Sequence, residues 1–535
     1  MLKTIGMLPK IGAPLNCDPT PMLQWVEVSS SFQIPHFQIV GLPSPEVSEA
    51  KERVKAAIET SELPFPKKRI VVNLSPANIR KQGTNADLAI ALSVLLTKKP
   101  NLSPELEHTK WVACGELGLD GNVKPVGQIT RAIYACTKER VDFLLLPVSE
   151  KIQAYESLKV IKESCVFKNK PPVILLIENL SEAWKILSEF SAEQCNQYEL
   201  KYDRAEKDQT VITDEELTLL PISPSLERVL CASTAGEHHL LLLGPKGVGK
   251  SHAIEWLSVL HEAPLPKDKL NQILLAELNL SSKNKDIYSA IRKISVHVRP
   301  AALIGSTSGT ILRVGEFSLA HGGLLIADEI LEWHRDSREA LREPLEQGVV
   351  TLTRKQGTVE LPARFTLVAS GNLCPCGGWP KSIPLSYTST TLKSMKIKLC
   401  HCPTHHMERY FKKLSGPILD RIDIVLKVTG TLGEFNVLPS GKINQLKDKI
   451  NKVKSRLINQ YGAPPGQLKP YELEKFFEKN PTWKNESIFL DAESLRSRHK
   501  ILRLALTLAA WDDKSYPNIT HIHEASLYRP ERLGF

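Results

Sequence analysis

Residues 241–251 of this chain read Leu241-Leu242-Leu243-Gly244-Pro245-Lys246-Gly247-Val248-Gly249-Lys250-Ser251, an apolar run followed by a glycine-rich turn. The pattern G-x-x-x-x-G-K-[ST] after a strand-like run predicts a buried strand, a tight turn and the start of a helix. Backbone N–H groups of such a turn and of the helix N-terminus point at phosphate oxygens. We expect Lys250 to place its charge on these phosphates and Ser251 to bind Mg²⁺. The stretch predicts a nucleoside triphosphate site, and a glycine-rich turn without a ligand is the alternative.

Two later apolar runs also end in polar residues that suit nucleotide hydrolysis. The first run, Leu324–Ala327, is followed by Asp328 and Glu329, and a fully apolar run of this kind indicates a buried parallel strand. We expect Asp328 to hold Mg²⁺ and Glu329 to polarise the attacking water. The second run ends at Asn372, whose amide would orient this water or sense the γ-phosphate. Two solvated acids and a turn asparagine are the alternatives.

The bulk composition is that of a folded protein with several domains. The chain has 535 residues, of which 42% are hydrophobic and 24% charged, and its formal charge of +10 is compatible with a polyanionic partner. This length is too great for one core, so roughly two to four domains are expected. The N-terminus lacks the apolar segment of a signal peptide, and no apolar run is long enough for a membrane helix. We therefore expect a cytoplasmic protein without membrane contact, whose cysteines stay reduced.

The order of patterns along the chain predicts an α/β fold. Residues 1–190 alternate short β-branched runs with helical patterns, which indicates a compact α+β or α/β unit. Residues 191–222 are polar, charged and then proline-containing, as in a linker. The nucleotide motifs occupy residues 223–430, where a parallel sheet is expected. Residues 431–535 contain helix-like segments and predict a helical C-terminal part.

Four of the cysteines form two close pairs, Cys374-x-Cys376 and Cys400-x-Cys402. Two thiolate pairs separated by a loop can close a tetrahedral Zn²⁺ site, and soft sulfur ligands in a reducing compartment favour zinc over magnesium or calcium. Because four thiolates leave no position for water, the predicted role of the zinc is structural. Four unliganded thiols are the alternative. Three nearby histidines are substitute ligands: His401, His405 and His406.

Metal binding by the cysteines would hold together a long basic insertion at residues 373–413. Between Gly371 and Ser415 a single acid, Glu408, faces seven cations with aromatic residues among them: Lys381, Lys393, Lys396, Lys398, Arg409, Lys412 and Lys413, with Trp379, Tyr387 and Tyr410. Cations with interleaved aromatic residues suit contact with phosphates and stacking on bases. We expect this insertion to contact DNA, and a solvated positive loop is the alternative.

The order of the motifs resembles that of the AAA+ ATPases, and within them the magnesium-chelatase-like group and the ComM/YifB family of bacterial DNA-processing proteins. The resemblance rests on the segments Gly315–Gly323, Leu341–Gly348, Cys374–Gly377 and Leu414–Asp423. It also extends N-terminally through residues 40–43 and 69–76, so that nearly the whole chain is covered. The resemblance implies an AAA+ core that binds and hydrolyses ATP with Mg²⁺, followed by a C-terminal helical lid.

Two arginines take roles that only the resemblance implies. Arg421 matches an arginine finger, which reaches the γ-phosphate of the neighbouring subunit, so the resemblance implies a ring, with a hexamer as its size. Arg496 resembles the second sensor arginine on the lid. A surface salt bridge is the alternative for either residue. The sequence departs from the family pattern after Arg299-Pro300, where paired histidines are missing, and at Leu506, where the family carries a further arginine.

The N-terminal region resembles the Lon-protease-like domain of the same family. Its landmarks are Lys81–Asp87 and Gly115–Gly121. A Lon-type protease needs a serine nucleophile activated by a lysine, and these positions fall at Asn85 and Thr130. An amide cannot attack a carbonyl and threonine cannot act as the base. We therefore expect a structural or partner-binding role without proteolysis.

Three functions follow from these observations. The leading hypothesis is an ATP-dependent DNA motor, and resemblance to the ComM/YifB family implies branch migration during homologous recombination and natural transformation, with recombination proteins as further partners. A chelatase-type subunit for metal insertion into a tetrapyrrole is the second; the N-terminal region and the cysteine-bearing insertion argue against it. A nucleotide-binding scaffold that has lost motor activity is the third, because of the missing histidines and Leu506.

Overall fold

The computed structural model describes residues 9–15, 19–79, 81, 83–98, 106, 108–190, 197–200, 222–262, 264–279, 289–308, 311–354, 357–378, 400–414, 416–428, 441–479 and 494–529. Most of the predicted DNA-contacting insertion, including Trp379, Lys381, Tyr387, Lys393, Lys396 and Lys398, lies outside these residues.

The N-terminal part is built on a mixed sheet. Its strands are β1 (Lys10–Leu15), β2 (Met22–Ser31), β3 (His36–Val40), β4 (Arg69–Ser75), β5 (Lys110–Ala113), β8 (Phe143–Pro147) and β9 (Val173–Ile177). They lie in the order β3-β4-β2-β1-β5-β8-β9. The pairs β1–β2 and β2–β4 are antiparallel and the others parallel. A short antiparallel pair, β6 (Glu116–Leu117) and β7 (Val123–Lys124), stands apart.

Among the described residues, the helices that cover this sheet are α1 (Pro45–Thr60), α2 (Asp87–Leu96), α3 (Ile129–Glu139), α4 (Lys151–Glu163) and α5 (Leu180–Ser188). Helix α1 begins where the Ser44 side chain accepts from the Val47 N–H, with Pro45 in the first turn. Every residue of α2 is buried, as its nearly continuous apolar sequence requires. The N-terminal part therefore has a core of its own, formed by α1, α2 and α5 against the sheet.

The second part is built on a fully parallel sheet. Its strands are β10 (Leu240–Leu243), β11 (Ile291–Ile294), β14 (Leu324–Ala327), β17 (Thr366–Gly371) and β18 (Ile424–Lys427). They lie in the order β11-β14-β17-β10-β18. All residues of β10, β14 and β17 are buried, because parallel strands are covered on both faces. The predicted mixed α/β fold with a parallel sheet is thus confirmed.

Helices and hairpins surround the parallel sheet. Two antiparallel pairs lie outside it: β12 (Gly305–Ser308) with β13 (Ile311–Val314), and β15 (Val349–Arg354) with β16 (Gly357–Pro362). The longer helices are α6 (Pro224–Gly236), α7 (Lys250–Leu260) and α8 (Pro266–Ala276). The shorter helices are α9 (Pro300–Ile304), α10 (Glu316–Leu319), α11 (Arg335–Glu339), α12 (Arg342–Gln347), α13 (Thr404–Phe411) and α14 (Gly416–Leu419).

The C-terminal part is helical, as predicted. It consists of α15 (Lys442–Tyr461), α16 (Pro470–Lys479), α17 (Leu495–Trp511) and α18 (Ile519–Leu527). Helices α15 and α17 pack on α6, and their apolar side chains join those of α6, α7 and β10 in one cluster. Leu506, the departure from the family pattern, is buried in this cluster. The C-terminal helices therefore share their core with the parallel-sheet part.

The N-terminal part and the parallel-sheet part also share buried side chains. Leu270 and Leu274 of α8 belong to the same apolar cluster as Ile129 and Ile133 of α3. The start of the predicted linker is packed as well, since the Leu200 N–H donates to the Ile174 carbonyl at 2.9 Å. Among the described residues, no helix combines the length and apolar character that crossing a membrane requires.

Candidate nucleotide and metal sites

The predicted phosphate loop joins the end of β10 to the first turn of α7. Gly247 and Gly249 have φ values of +84° and +91°, in the left-handed region that glycine enters without strain. Gly249 stands at the N-terminal cap of α7, where no side chain accepts from the first N–H groups of the helix. An uncapped helix N-terminus behind two such glycines is a surface that binds anions, so the local geometry fits a phosphate group.

Lys250 points at the loop and at the neighbouring strand end. Its Nζ donates to the carbonyl oxygens of Gly244 and Pro245, each at 2.8 Å, and to Oδ1 of Asn372 at 3.1 Å. Burial lowers the pKa of Lys250, while the charges of Asp328 and Glu329 act in the opposite direction. The predicted phosphate-binding lysine and the predicted sensor asparagine are therefore in direct contact.

Ser370, which the sequence analysis did not identify as a site residue, holds the acidic pair Asp328 and Glu329 in place. The Ser370 hydroxyl donates to Oδ1 of Asp328, and its oxygen accepts from the Glu329 N–H at 3.0 Å. Glu329 itself has a φ of +47°, which turns the chain sharply after β14. Ser370 lies near the end of β17, and Asn372 is the first residue after this strand, so both residues are at the same edge of the sheet. A hydroxyl near the C-terminal end of a mostly apolar run was the signal available in the sequence.

The strand order explains why these groups meet. Strand β17 lies between β10 and β14, and all three are parallel. Leu243 pairs with Gly371, and Ala327 pairs with Ala369, so the chain leaves the three strands at the same edge of the sheet. The phosphate loop, the acidic pair and Asn372 follow directly. This edge, the carboxyl end of a parallel sheet, is where α/β proteins bind ligands.

The two arginines with family-implied roles share one partner. Both guanidinium groups bind the Glu346 carboxylate of α12, Arg421 through Oε2 and Arg496 through Oε1, the latter at 3.3 Å. Hydrogen bonds from Arg421 hold the pKa of Glu346 below its ordinary value. Arg421 also donates to the Pro417 carbonyl. The structure therefore brings Arg421 and Arg496 together, at a carboxylate that is half exposed.

A buried ion pair connects the segment of Arg421 to α17. Lys500 Nζ lies 2.7 Å from Oδ1 of Asp423 and donates to the Arg421 carbonyl at 2.6 Å. Oδ2 of Asp423 accepts from the His239 N–H at 3.0 Å, at the start of β10. Burial raises the pKa of Asp423, but the charge of Lys500 and the bond from His238 outweigh it, so the pKa lies well below its ordinary value. This pairing spans 77 positions of sequence and had no local signal.

The four predicted zinc ligands form one cluster. The Sγ atoms of Cys374, Cys376, Cys400 and Cys402 all lie within 4.8 Å of one another. The Sγ atoms of Cys374 and Cys376 are 3.2 Å apart, and those of Cys376 and Cys400 are 3.8 Å apart. A tetrahedral Zn²⁺ with Zn–S bonds of about 2.3 Å places sulfur atoms about 3.8 Å apart. The arrangement therefore fits a four-thiolate metal site.

The surroundings favour a thiolate at one of the four cysteines, Cys376, whereas burial raises the pKa of Cys374 and a hydrogen bond with Cys376 raises the pKa of Cys402. Backbone N–H groups donate to sulfur at two points, Gly378 to Cys376 and Cys402 to Cys400, each at 3.4 Å. Burial raises the pKa of Cys376, but hydrogen bonds from Cys374 and Gly378 outweigh it and lower the pKa to about 6. A thiolate at neutral pH is the form that binds metal. The three histidines considered as substitute ligands are exposed and lie outside the four-sulfur set: His401, His405 and His406.

One aromatic residue of the predicted DNA-contacting set does not suit that role. Tyr410 is buried on α13, and its hydroxyl donates to Glu332 at 2.8 Å, just beyond the acidic pair. Lys413 lies over the same ring and 3.4 Å from the same carboxylate. The expectation that Tyr410 stacks on bases is therefore wrong, because its ring is enclosed and its hydroxyl is already bonded. Arg409 of α13 and Lys412, which follows this helix, are exposed.

The two protease positions of the N-terminal part are buried in polar contacts. Nδ2 of Asn85 donates to the Pro14 carbonyl at 2.6 Å, and Thr130 Oγ1 lies 2.8 Å from Ser157 Oγ. Glu277, which follows α8, enters the same place. Its carboxylate accepts from the N–H groups of Thr130 and Arg131 at 3.1 and 2.9 Å, at the start of α3. The parallel-sheet part thus contributes a buried carboxylate at Thr130.

Comparisons with known proteins agree with this geometry. Residues 223–434 match the family described as magnesium chelatase, subunit ChlI, and residues 26–150 match the family described as subunit ChlI of Mg-chelatase. The second match covers most of the N-terminal part. That region therefore does not distinguish a DNA motor from a chelatase subunit, contrary to the expectation from the sequence. The match over residues 223–434 spans the phosphate loop, the acidic pair, the cysteines and Arg421.

Relatives of similar length extend the match to nearly the whole chain. The chain is 29% identical to competence protein ComM of Haemophilus influenzae over 526 residues and 28% identical to protein YifB of Escherichia coli strain K12 over 514 residues. The alignments cover 94% of this chain, with 94% of ComM and 93% of YifB. A shorter similarity, 25% identity over 139 residues, joins 26% of the chain to 17% of the minichromosome maintenance protein MCM of Saccharolobus solfataricus. Over nearly its whole length the chain is thus similar to ComM and YifB, and two family models of the magnesium chelatase subunit ChlI match it.

Proposed function

We propose that this protein is an ATP- and Mg²⁺-dependent DNA motor of the branch-migration type, which acts in homologous recombination and natural transformation. One observation carries the catalytic half of the proposal. Lys250, Asn372, Asp328 and Glu329 converge on one edge of a parallel sheet, joined by the bonds of Lys250 to Asn372 and of Ser370 to the acidic pair. The name of the relative ComM, a competence protein, and the partial similarity to an MCM protein support the DNA half.

The residues at this edge have distinct roles in the proposal. Phosphate oxygens would take the place of the Gly244 and Pro245 carbonyls as partners of Lys250, beside backbone N–H groups at the start of α7. Asp328 and the exposed Ser251 hydroxyl supply the oxygen ligands that Mg²⁺ prefers. Mg²⁺ would neutralise phosphate charge when bound. Glu329 would accept a proton from the attacking water, and Asn372 would orient that water.

Arg421 and Arg496 complete the site from a neighbouring copy. Their common partner Glu346 keeps both guanidinium groups on one surface of the subunit. An arginine that stabilises phosphoryl-transfer charge in trans requires a neighbouring subunit, so we propose a ring, with a hexamer as the closed form. In such a ring the two arginines would exchange Glu346 for phosphate oxygens of the next subunit.

The cysteine cluster is proposed to hold a structural Zn²⁺ that shapes the insertion at residues 373–413. The donor set and the sulfur spacing support this assignment. DNA contact by the insertion rests on its cations, of which Arg409 and Lys412 lie within the described residues. Reversing the charges of Lys396 and Lys398 should weaken DNA binding and lower its salt dependence. Unchanged affinity and unchanged salt dependence would contradict DNA contact here.

The N-terminal part is proposed to have a structural or partner-binding role. Asn85 and Thr130 replace a nucleophile and its base, and both are enclosed by neighbouring groups. Cleavage of a generic casein substrate that depends on ATP and on Lys250 would contradict this assignment. A cytoplasmic location and contact with recombination proteins are further parts of the proposal.

The decisive experiment measures ATP hydrolysis by the purified protein with no DNA, with single-stranded DNA and with branched DNA, beside the Glu329→Gln variant. A DNA motor should hydrolyse ATP faster with DNA, and this stimulation should vanish in the variant. Branch migration itself is measured on a synthetic four-way junction with one labelled strand. Hydrolysis that no DNA accelerates would refute the DNA half while leaving the ATPase site in place.

A chelatase-type subunit is the second candidate, because both family matches carry the description of a magnesium chelatase subunit. This candidate expects ATP hydrolysis that ignores DNA. A nucleotide-binding scaffold expects ATP binding without hydrolysis. The same assay therefore separates the three functions.

A further inference from the structure

The loop that carries the first two cysteines lies against the phosphate loop. The Lys246 N–H donates to the Gly377 carbonyl at 2.9 Å. A Cβ placed on Gly377 would be 3.4 Å from Cβ of Lys246, so the two backbones are in van der Waals contact. Lys246 lies between Gly244 and Gly247, within the segment that surrounds the phosphates. The cysteine loop therefore forms one wall of the phosphate loop.

The thiol cluster determines where the Gly377 carbonyl points. Cys374 and Gly377 close a turn, in which the Gly377 N–H donates to the Cys374 carbonyl at 3.0 Å and Gly377 has a φ of +72°. The next N–H, that of Gly378, donates to the Cys376 sulfur. The turn thus wraps around two sulfur atoms and presents its outer carbonyl to Lys246. Whatever fixes the sulfur atoms also fixes this carbonyl.

Two further connections join the cluster to the nucleotide site. Cys374 follows Asn372 by two residues, and Asn372 accepts from Lys250 Nζ at 3.1 Å. On the other side, helix α13 begins two residues after Cys402 and carries Tyr410, which donates to Glu332 at 2.8 Å. The four sulfur atoms are thus tied to the phosphate loop, to the end of β17 and to the turn after the acidic pair.

We propose that occupancy of the four-cysteine site and binding of nucleotide at the phosphate loop are thermodynamically linked, so that Zn²⁺ raises the affinity for nucleotide and nucleotide raises the affinity for Zn²⁺. The proposal rests on the zinc and nucleotide sites proposed above. The hydrogen bond from the Lys246 N–H to the Gly377 carbonyl transmits the effect between the two sites. With metal bound, the turn is held and the phosphate loop is already shaped. With the thiols free, nucleotide binding must order both loops, and this ordering reduces the net affinity.

Linkage of this kind is reciprocal, which makes it measurable from both sides. The factor by which Zn²⁺ changes the nucleotide dissociation constant must equal the factor by which nucleotide changes the Zn²⁺ dissociation constant. Couplings between sites in proteins are typically about 5- to 150-fold. We expect a factor of about tenfold here, because one backbone bond and its two flanking connections transmit the effect.

The experiment uses the full chain with Mg²⁺ and no DNA. Affinity for a slowly hydrolysed ATP analogue is titrated on zinc-loaded protein and on protein stripped with a chelator that leaves Mg²⁺ in solution. Affinity for Zn²⁺ is measured by competition with a coloured chelator, with and without the analogue. Equal factors of about tenfold are expected. Nucleotide affinity that is unchanged by zinc removal would overturn the proposal, and so would failure of the four cysteines to bind Zn²⁺.

A matched pair of variants tests this hydrogen bond. Lys246→Pro removes the N–H that Gly377 accepts, whereas Lys246→Ala removes the same side chain and keeps the N–H. We expect the linkage factor to fall toward one in Lys246→Pro and to stay near the unmodified value in Lys246→Ala. An unchanged factor in a Lys246→Pro protein with normal zinc content and normal circular dichroism would refute transmission through the hydrogen bond. If Lys246→Pro does not fold, the reciprocal titrations of the unmodified protein still decide the linkage.

Two cysteine variants test the same linkage by removing a ligand of the proposed Zn²⁺ site. Cys376→Ser removes an exposed ligand, and Cys165→Ser removes an exposed thiol far along the chain as the control. Cys376→Ser should weaken nucleotide binding by the same factor as zinc stripping, and Cys165→Ser should leave it unchanged. Because none of these titrations contains DNA, failure of the DNA-motor proposal would show in the hydrolysis assay and leave the linkage intact.

Discussion

Replacing Lys500 with methionine tests the energetic connection between the C-terminal helices and the parallel sheet. Lys500 and Asp423 are both buried, and their charged groups lie 2.7 Å apart. Methionine keeps most of the apolar stem of lysine and removes the ammonium group. The change therefore leaves the Asp423 carboxylate buried with fewer positive charges beside it. Such an incompletely paired buried charge is the main reason why breaking a buried ion pair destabilises a protein.

The size of the effect follows from the distances. With an effective dielectric constant of about 20, Coulomb attraction is roughly 6 kcal/mol for Lys500 at 2.7 Å and roughly 4 kcal/mol for Arg503, which lies 3.9 Å from the same oxygen. Removing one partner of a buried pair typically costs about 3–5 kcal/mol. Because Arg503 and the His239 N–H remain, we expect the lower end, about 3 kcal/mol.

The assay is thermal unfolding followed by circular dichroism, at neutral pH and moderate salt. For a unit of 150–250 residues, about 3 kcal/mol corresponds to a fall of roughly 6–12 °C in the unfolding midpoint. Lys514→Met is the matched control, since Lys514 is exposed and should cost less than about 0.5 kcal/mol. The double variant Lys500→Met with Asp423→Asn should be less unstable than the sum of the single changes. Equal midpoints for Lys500→Met and Lys514→Met would refute the reasoning.

Three other predictions concern the nucleotide site and the boundary between the parts. Glu329→Gln should lower the rate of ATP hydrolysis at least about 100-fold, because the attacking water loses its proton acceptor, and should change the nucleotide affinity by less than about twofold. Steady-state rates and a binding titration measure these two effects, and a normal hydrolysis rate would contradict the prediction. Ser370→Ala should raise the Mg²⁺ concentration for half-maximal hydrolysis by leaving Asp328 less well placed, and Ser370→Thr should restore it. Loss of hydrolysis at all Mg²⁺ concentrations in Ser370→Ala would instead indicate misfolding. Burial raises the pKa of Glu277 above its ordinary value of 4.5, so the folded chain keeps this proton at pH values where the unfolded chain has lost it. Stability should therefore fall as pH rises from about 4.5 through the raised pKa, and Glu277→Gln should remove this part of the slope of unfolding midpoint against pH.

The sequence allowed the strands and their functional ends to be predicted because the signals are local. Leu240–Leu243, Leu324–Ala327 and Thr366–Gly371 are short apolar runs, each followed at once by the residues of interest. Parallel strands leave a sheet at the same edge, so three local patterns were enough to bring Lys250, Asp328 and Asn372 together.

Residues whose partners lie far along the chain could not be predicted in this way. Glu346 has no feature in the sequence that marks it as the partner of two arginines 75 and 150 residues away. Lys500 meets Asp423 only after α17 has packed on the sheet. Tyr410 was misjudged because sequence position among cations says nothing about burial. In each case the deciding information is a tertiary contact between segments that the local pattern treats separately.

Glu277 and α8 have a consequence for how the chain could be divided. Two leucines of α8 and the Glu277 carboxylate pack against the N-terminal part, although residues 191–222 between the two parts are predicted to be a linker. Burying each leucine stabilises the fold by roughly 1.5–3 kcal/mol. A separate polypeptide of residues 222–535 would expose both leucines and the Glu277 carboxylate to water. Residues 1–200 and 222–535 produced as two separate polypeptides should therefore recombine into a complex, and each alone should be prone to aggregate. Such recombination would show that the buried surface shared by the two parts holds them together without the peptide connection between them.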